Sequence, residues 1–187
     1  MTVWNAVIVA GGKGSRLGGA SKPDLSVGGI TLLERALCAV AGAQDVVLVG
    51  GPRHQTVRWT VEDPPGSGPA KALAAGLTAM AHHAPWTVVL AVDTPRAADA
   101  VPQLLAAVAD AGGVDGAWFI DAEGEAQPLV AIYRTAALLD RTRDLEEGTS
   151  MRRLVAGLAM VPVPDVDGVA RDLDTWGDAE FWKEQLG

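Results

Sequence analysis

The sequence predicts an α/β fold: a single domain, residues 1–187, with a mostly parallel sheet packed between helices in three layers. Three observations predict it. Short, β-branched apolar runs alternate with longer helix-patterned segments from end to end, which is the pattern of strand–helix–strand units. A chain of 187 residues that is 49% hydrophobic has the material for one sizeable core. No internal repeat, low-complexity tract or long linker divides it.

In chain order, residues 3–10 form a first strand, apolar and stopped by Gly11. A glycine-rich stretch follows. Thr31 with Glu34 three residues later makes a capping box for a helix over 32–41, with Leu33, Leu37 and Val40 on one face. Val46-Val47-Leu48-Val49 is a fully apolar second strand, ended by Gly50-Gly51-Pro52. Residues 57–62 are less apolar and read as a short third or edge strand. Residues 63–69, rich in Pro and Gly, are a loop, and the Ala- and Leu-rich residues 70–81 a helix. Residues 86–92 form the most apolar strand, ending in Asp93-Thr94-Pro95. A helix over 99–111, a strand over 116–120, a turn over 124–128 and a strand over 129–133 come next. Helices follow over 135–145 and 151–156, the latter capped by Ser150. A strand over 160–163, an extended Asp172-Leu173-Asp174 and a last helix from near Asp178 complete the chain.

Composition removes several function classes. The net charge of -8 argues against a general binder of nucleic acid or of anionic membrane. No segment reaches the roughly 18 apolar residues of a membrane span, and the N-terminus lacks a charged region followed by an apolar one, so the cytoplasm is the expected compartment. Cys38 is the only cysteine, so no internal disulfide forms; its apolar neighbours place it on a buried helix face. His54, His82 and His83 have no zinc-ligand spacing, and no G-x-S-x-G elbow surrounds any serine.

The chemistry concentrates in four places. First, Gly11, Gly12, Gly14, Gly18 and Gly19 follow the first strand, interspersed with Lys13, Arg16 and Lys22. Such a loop holds phosphates on backbone N–H groups and neutralises them with fixed cations. It matches neither the P-loop nor the GxGxxG pattern. Second, Asp93 ends a strongly apolar strand, where open α/β sheets bind ligands; a carboxylate there suits Mg²⁺. Third, Asp172 and Asp174 alternate along an extended segment, so both face one way, toward Asp93. Fourth, Glu62-Asp63, before a Gly/Pro loop and a helix start, can offer a carboxylate and backbone amides to a base or ribose.

With these residues in view, Val9-Ala10-Gly11-Gly12-x-x-x-Arg16-Leu17-Gly18 followed by Lys22 resembles the signature of the Rossmann-like nucleotidyltransferases. Glu62-Asp63, Gly68-Pro69 and Ala75-Gly76-Leu77 resemble an E-D…GP…AGL segment, and Asp93-Thr94-Pro95 a C-D-x-P motif. Gln127-Pro128-Leu129, Gly148-Thr149-Ser150-Met151-Arg152 and Asp172-Leu173-Asp174-Thr175 are similar to later blocks, in order. Together they resemble the molybdenum cofactor guanylyltransferase family. The resemblance implies transfer of GMP from GTP to the molybdopterin cofactor, with pyrophosphate released. It implies backbone contacts to the nucleotide from Val9, Ala10, Gly11 and Gly12, a nucleoside contact from Asp63, and charge stabilisation by the catalytic residues Arg16, Lys22 and Asp93. Mg²⁺ would be the cofactor, held by Asp93 with Asp174. The substrates would be the partners, with transient contacts to cofactor-handling proteins or molybdoenzymes and a monomer or weak homo-oligomer.

The chain also departs from that pattern. Gly50 stands where the family often has Asn, and Trp176 rather than Pro follows Thr175. Asp172 and Asp174 replace an Asn pair, a substitution associated with the cytidylyl branch. The readings left open are therefore CTP on molybdopterin, an NTP on a sugar phosphate, and a nucleotide-binding protein of this fold without catalysis.

Overall fold

The computed structural model describes residues 2–11 and 19–187. The described residues form a seven-stranded sheet with helices on both faces, plus a two-stranded hairpin. In chain order the strands are β1 (Trp4–Val9), β2 (Ser26–Val27), β3 (Ile30–Thr31), β4 (Val46–Val49), β5 (Arg58–Thr60), β6 (Trp86–Ala91), β7 (Gly116–Ile120), β8 (Ala126–Arg134) and β9 (Met160–Pro164). The helices are α1 (Leu32–Ala39), α2 (Pro69–Ala79), α3 (Ala97–Ala109), α4 (Thr135–Thr142), α5 (Met151–Leu154) and α6 (Trp176–Leu186). The sheet order is β5-β4-β1-β6-β8-β7-β9. β5, β4, β1 and β6 run parallel, β8 is antiparallel to both its neighbours, and β9 runs parallel to β7.

β1 lies inside the sheet between β4 and β6, and every one of its residues is buried. Trp4, Ala6 and Ile8 turn to the face covered by α1 and α3, where Leu33, Ala36, Val101 and Leu104 pack. Val7 and Val9 turn to the face covered by α2, with Leu73 and Leu77. The alternation follows from the two-residue period of a strand. A smaller cluster of Val27, Leu32, Leu173, Ala179 and Trp182 fastens α6 and the β2–β3 hairpin near the sheet's C-terminal edge.

Local chemistry sets the ends as the sequence predicts in several places. Thr31 accepts from the Glu34 amide while Glu34 accepts from the Thr31 amide, the reciprocal capping box of α1. Ser150 caps α5 through the Arg153 amide. For α6 the box is Thr175 with Asp178, so the helix begins at Trp176, two residues before the expected start. Two expectations are corrected. Cys38 is exposed, because α1 turns Leu32, Leu33 and Ala36 inward instead. The strand expected over 129–133 runs from Ala126 to Arg134, since pairing of Ala126 and Gln127 with β7 extends it through the residues read as a turn and pairing with β6 carries it to Arg134. Among the described residues no helix is long and apolar enough to cross a membrane.

Candidate active site

The C-terminal ends of β4, β1 and β6 open on a cavity of about 960 Å³. Because β8 runs antiparallel to β6, its first residues reach the same edge, and Gln127, Leu129 and Val130 line one end of the cavity. Gly50, Gly51, Glu62, Gly66 and Gly68 line the other, from the loops after β4 and β5. Val9, Gly11, Lys22, Asp93, Asp172 and Asp174 lie among them.

Lys22 is the centre of the site. It opens a short 3-10 turn, Lys22–Asp24, anchored by the buried ring of Pro23. Its Nζ donates to Asp93 Oδ2 at 2.6 Å and to Asp174 Oδ1 at 2.5 Å. Asp93 follows β6, and its carbonyl accepts from the Leu173 amide at 2.9 Å. That backbone bond, with Leu173 fully buried, draws Asp172 and Asp174 to the mouth of β6 and turns both into the cavity. The alternation expected of Asp172-Leu173-Asp174 is what the structure shows.

The electrostatics follow from this convergence. Burial by itself disfavours the Lys22 ammonium, but its hydrogen bonds to Asp174 and Asp93 outweigh that and hold its pKa above the ordinary lysine value. Lys22 is therefore a permanent cation at neutral pH. Asp172 is pushed the opposite way for a carboxylate. Partial burial, which takes water from the charged form, and then the like charges of Asp174 and Asp93 raise its pKa, with Lys22 partly offsetting them. Asp178 sits behind the site: burial raises its pKa, but donors on Thr175, Arg171 and Asp174 prevail and hold it at about 2.

A model of the MobA-like NTP transferase domain matches residues 6–163 of this chain. The chain belongs to the MobA-like NTP transferase family. A probable molybdenum cofactor guanylyltransferase of Chloroflexus aggregans is 32% identical over 205 residues, covering 98% of this chain and 95% of that one. Among solved structures, molybdopterin-guanine dinucleotide biosynthesis protein A of Archaeoglobus fulgidus aligns with a TM-score of 0.70 at 19% identity, over 97% of each chain. The 2-C-methyl-D-erythritol 4-phosphate cytidylyltransferase of Thermus thermophilus aligns with a TM-score of 0.69 at 20% identity, over 100% of this chain and 99% of that one. Both likenesses are likenesses of fold.

In this MobA-like transferase the structure brings Lys22, Asp93 and Asp174 into direct contact. Val9 and Gly11 line the cavity, while Ala10 is buried and its amide donates to the Val49 carbonyl at 2.8 Å. Gly12 and Arg16 lie outside the described residues. Asp63 is exposed and does not line the cavity; Glu62 beside it is buried and does. The nucleoside contact expected of Asp63 is thus not placed in the cavity wall, where the described loop instead presents Glu62. Gly50 has a physical reason to be glycine. At φ +73° it packs on the loop start so closely that a Cβ would lie 2.9 Å from Gly11 Cα and N. An Asn at this position would displace Gly11. Trp59 does not line the cavity; its indole donates to the Gly50 carbonyl at 3.2 Å and stiffens the turn instead.

Among the described residues no group of three or more His, Cys, Asp or Glu is arranged to hold a metal ion; the carboxylates of Asp93 and Asp174 converge instead on Lys22 Nζ. The donors are oxygens, as Mg²⁺ requires, and phosphates would complete its coordination.

Proposed function

We propose that this MobA-like transferase joins GMP from GTP to the molybdopterin cofactor and releases pyrophosphate, with Mg²⁺ as its cofactor. One observation carries the reading: a fixed cation between two carboxylates, midway along a cavity with polar groups at both ends. At about 960 Å³ the cavity is at the upper end of the range for a single small ligand, which suits two substrates meeting at a reacting centre. The name of the Chloroflexus relative supports the choice of substrates.

The nucleotide would occupy the side formed by Gly11, Gly50 and the loop after β5. The acceptor would lie beside Gln127 and Leu129. A terminal phosphate oxygen of the cofactor forms a bond to the α-phosphorus of GTP, and the bond from that phosphorus to the bridging oxygen breaks, with the electron pair leaving on pyrophosphate. No protein nucleophile is needed. Lys22 stabilises charge growing on the phosphoryl oxygens. Asp93 and Asp174 would hold Mg²⁺, which supplies Lewis-acid polarisation of the phosphates. The chain's own contribution is positioning and a preorganised field.

A pyrophosphate-release assay with molybdopterin and each of the four NTPs tests this. Release should require GTP, molybdopterin and Mg²⁺ together. Asp93→Asn should lower it by about 100-fold or more without changing the circular dichroism spectrum, as expected when a charged transition-state contact is removed. Equal or faster turnover with CTP would overturn the guanylyl assignment. Turnover on a sugar phosphate but not on molybdopterin would overturn the acceptor, and binding of GTP without turnover would overturn catalysis.

A further inference from the structure

The end of the cavity away from the glycine loops is built on a break in the sheet. Trp118 of β7 pairs with Ala131, but the next residue, Phe119, pairs with Gln127, so Pro128, Leu129 and Val130 have no partner on β7. Such bulges bend a strand and re-aim its side chains. This one is pinned from inside: the hydroxyl of the fully buried Tyr133 donates to the Pro128 carbonyl at 2.8 Å. Gln127, at the foot of the bulge, and Leu129 and Val130 within it line the cavity.

The Gln127 side-chain amide is held in one sense. Its Nε2 donates to Asp121 Oδ2 at 2.8 Å. A carboxylate accepts and does not donate, so it faces the nitrogen of the amide and turns the oxygen away. Asp121 is itself fixed in the turn between β7 and β8, where Oδ1 accepts from the amides of Glu123 at 3.1 Å and Glu125 at 2.7 Å. Gln127 Oε1 has no partner among the described residues and is not shut in. This end of the cavity therefore offers a neutral acceptor of set direction beside the apolar Leu129 and Val130. Among the described lining residues the one cation is Lys22, held by Asp93 and Asp174. A phosphate finds no counter-charge beside Gln127. A flat, largely apolar body with an N–H donor on its edge fits there.

A pterin is such a body, with a ring N–H and an amino group side by side on its pyrimidinone edge. We infer that Gln127 reads the pterin of the acceptor, Oε1 accepting from that edge, and that Asp121, outside the cavity wall, is the positioning residue that sets the sense of the amide. This rests on the reading of molybdopterin as acceptor. It places the acceptor's phosphate toward Lys22 and its ring system against the bulge of β8.

Calorimetric titration of molybdopterin without nucleotide, so that no turnover occurs, tests the inference on wild type, Asp121→Asn and the double variant Asp121→Asn/Gln127→Glu. In Asp121→Asn the asparagine oxygen stays on the Glu123 and Glu125 amides and its amino group faces Gln127. The glutamine amide then turns over and shows a donor to the cavity. Molybdopterin binding should weaken about tenfold, the loss expected when a hydrogen bond is replaced by two opposed donors, while GTP binding with Mg²⁺ stays as in wild type. The double variant should regain most of the loss: one oxygen of the new carboxylate accepts from the asparagine and the other again offers an acceptor. Unchanged molybdopterin binding in Asp121→Asn overturns the inference. So does a loss shared equally with GTP, or one that the second substitution does not restore, since either marks a merely structural role. 6-Hydroxymethylpterin, which has the pterin edge but no phosphate, should displace molybdopterin from wild type and do so about tenfold less readily from Asp121→Asn. Equal displacement from both, or none from wild type, overturns the assignment to the pterin. Wild type that binds no molybdopterin at all is a different failure: it removes the acceptor reading and this inference with it, whereas the failures above leave wild-type binding of molybdopterin intact.

Discussion

Asp178 shows how one residue outside the cavity holds a residue inside it. Its Oδ2 accepts from the amides of Thr175 at 2.9 Å and Asp174 at 3.3 Å and from the Thr175 hydroxyl at 2.7 Å, while Oδ1 accepts from Arg171 at 2.9 Å. The same bonds therefore cap α6 and orient the backbone of Asp174, whose side chain meets Lys22. A carboxylate whose pKa falls from 3.8 to about 2 on folding stabilises the fold fully above the unfolded value and loses that contribution as pH falls through the folded one. Asp178→Asn should thus melt lower than wild type at pH 7, by about 0.3–1.5 kcal/mol. The gap should shrink between about pH 4 and pH 2, as the wild-type carboxyl takes up its proton. Paired denaturant melts at pH 7, 4 and 2.5 measure this; a gap constant across the series would assign the loss to something other than the charge.

At the scale of elements, α2 lies on the sheet through a glycine. A Cβ at Gly76 would lie 2.7 Å from Val7 Cγ1 and 3.0 Å from Val49 Cγ2, both on fully buried residues. Alanine at an interior helix position gains up to about 1 kcal/mol over glycine in propensity. Overpacking a filled core costs about 1–3 kcal/mol. The packing cost wins, so Gly76→Ala should destabilise the chain by about 1–2 kcal/mol, read from denaturant melts. Stabilisation would mean that Val7 and Val49 yield more easily than a close-packed interior permits. Elements were also the best-read level of the sequence. Val46–Val49 begins and ends where its apolar run does, and the caps at Thr31 and Ser150 start α1 and α5. These are local signals, carried by residues three or fewer apart. β8 was read too short because its length depends on β6 and β7 beside it, and its antiparallel direction is a property of the sheet. Cys38 was misplaced for a related reason: its apolar neighbours mark a buried helix, but the rotation of α1 on the sheet decides which stripe is inside.

For the whole molecule, one end of the cavity comes from the loops after β4 and β5 and the other from the start of β8, on opposite sides of β1, so a bound nucleotide would tie several elements together. A ligand that binds only the folded chain stabilises it by mass action, about 2.7 kcal/mol at 100 times its dissociation constant. For a domain of this size that corresponds to about 5–10 °C in melting temperature. GTP with Mg²⁺ should produce such a shift, and removal of the metal by EDTA should reduce it. An equal shift with and without divalent cation would remove Asp93 and Asp174 from metal binding.

The sequence by itself determined the order along the chain of the strands and helices of the seven-stranded sheet, though not the β2–β3 hairpin, together with the carboxylate at the end of β6 and the alternating Asp172 and Asp174. Each of these is a matter of period, of cap chemistry or of position at the end of an apolar run. Only the tertiary structure decided that Lys22 reaches Asp93 and Asp174, 71 and 152 residues away along the chain, and that Glu62 rather than Asp63 faces the cavity. The physical reason is the same in both cases. Loop residues have no periodicity that fixes where they point, and a charge shows its role only once the closed fold has taken it out of water and set its partners around it.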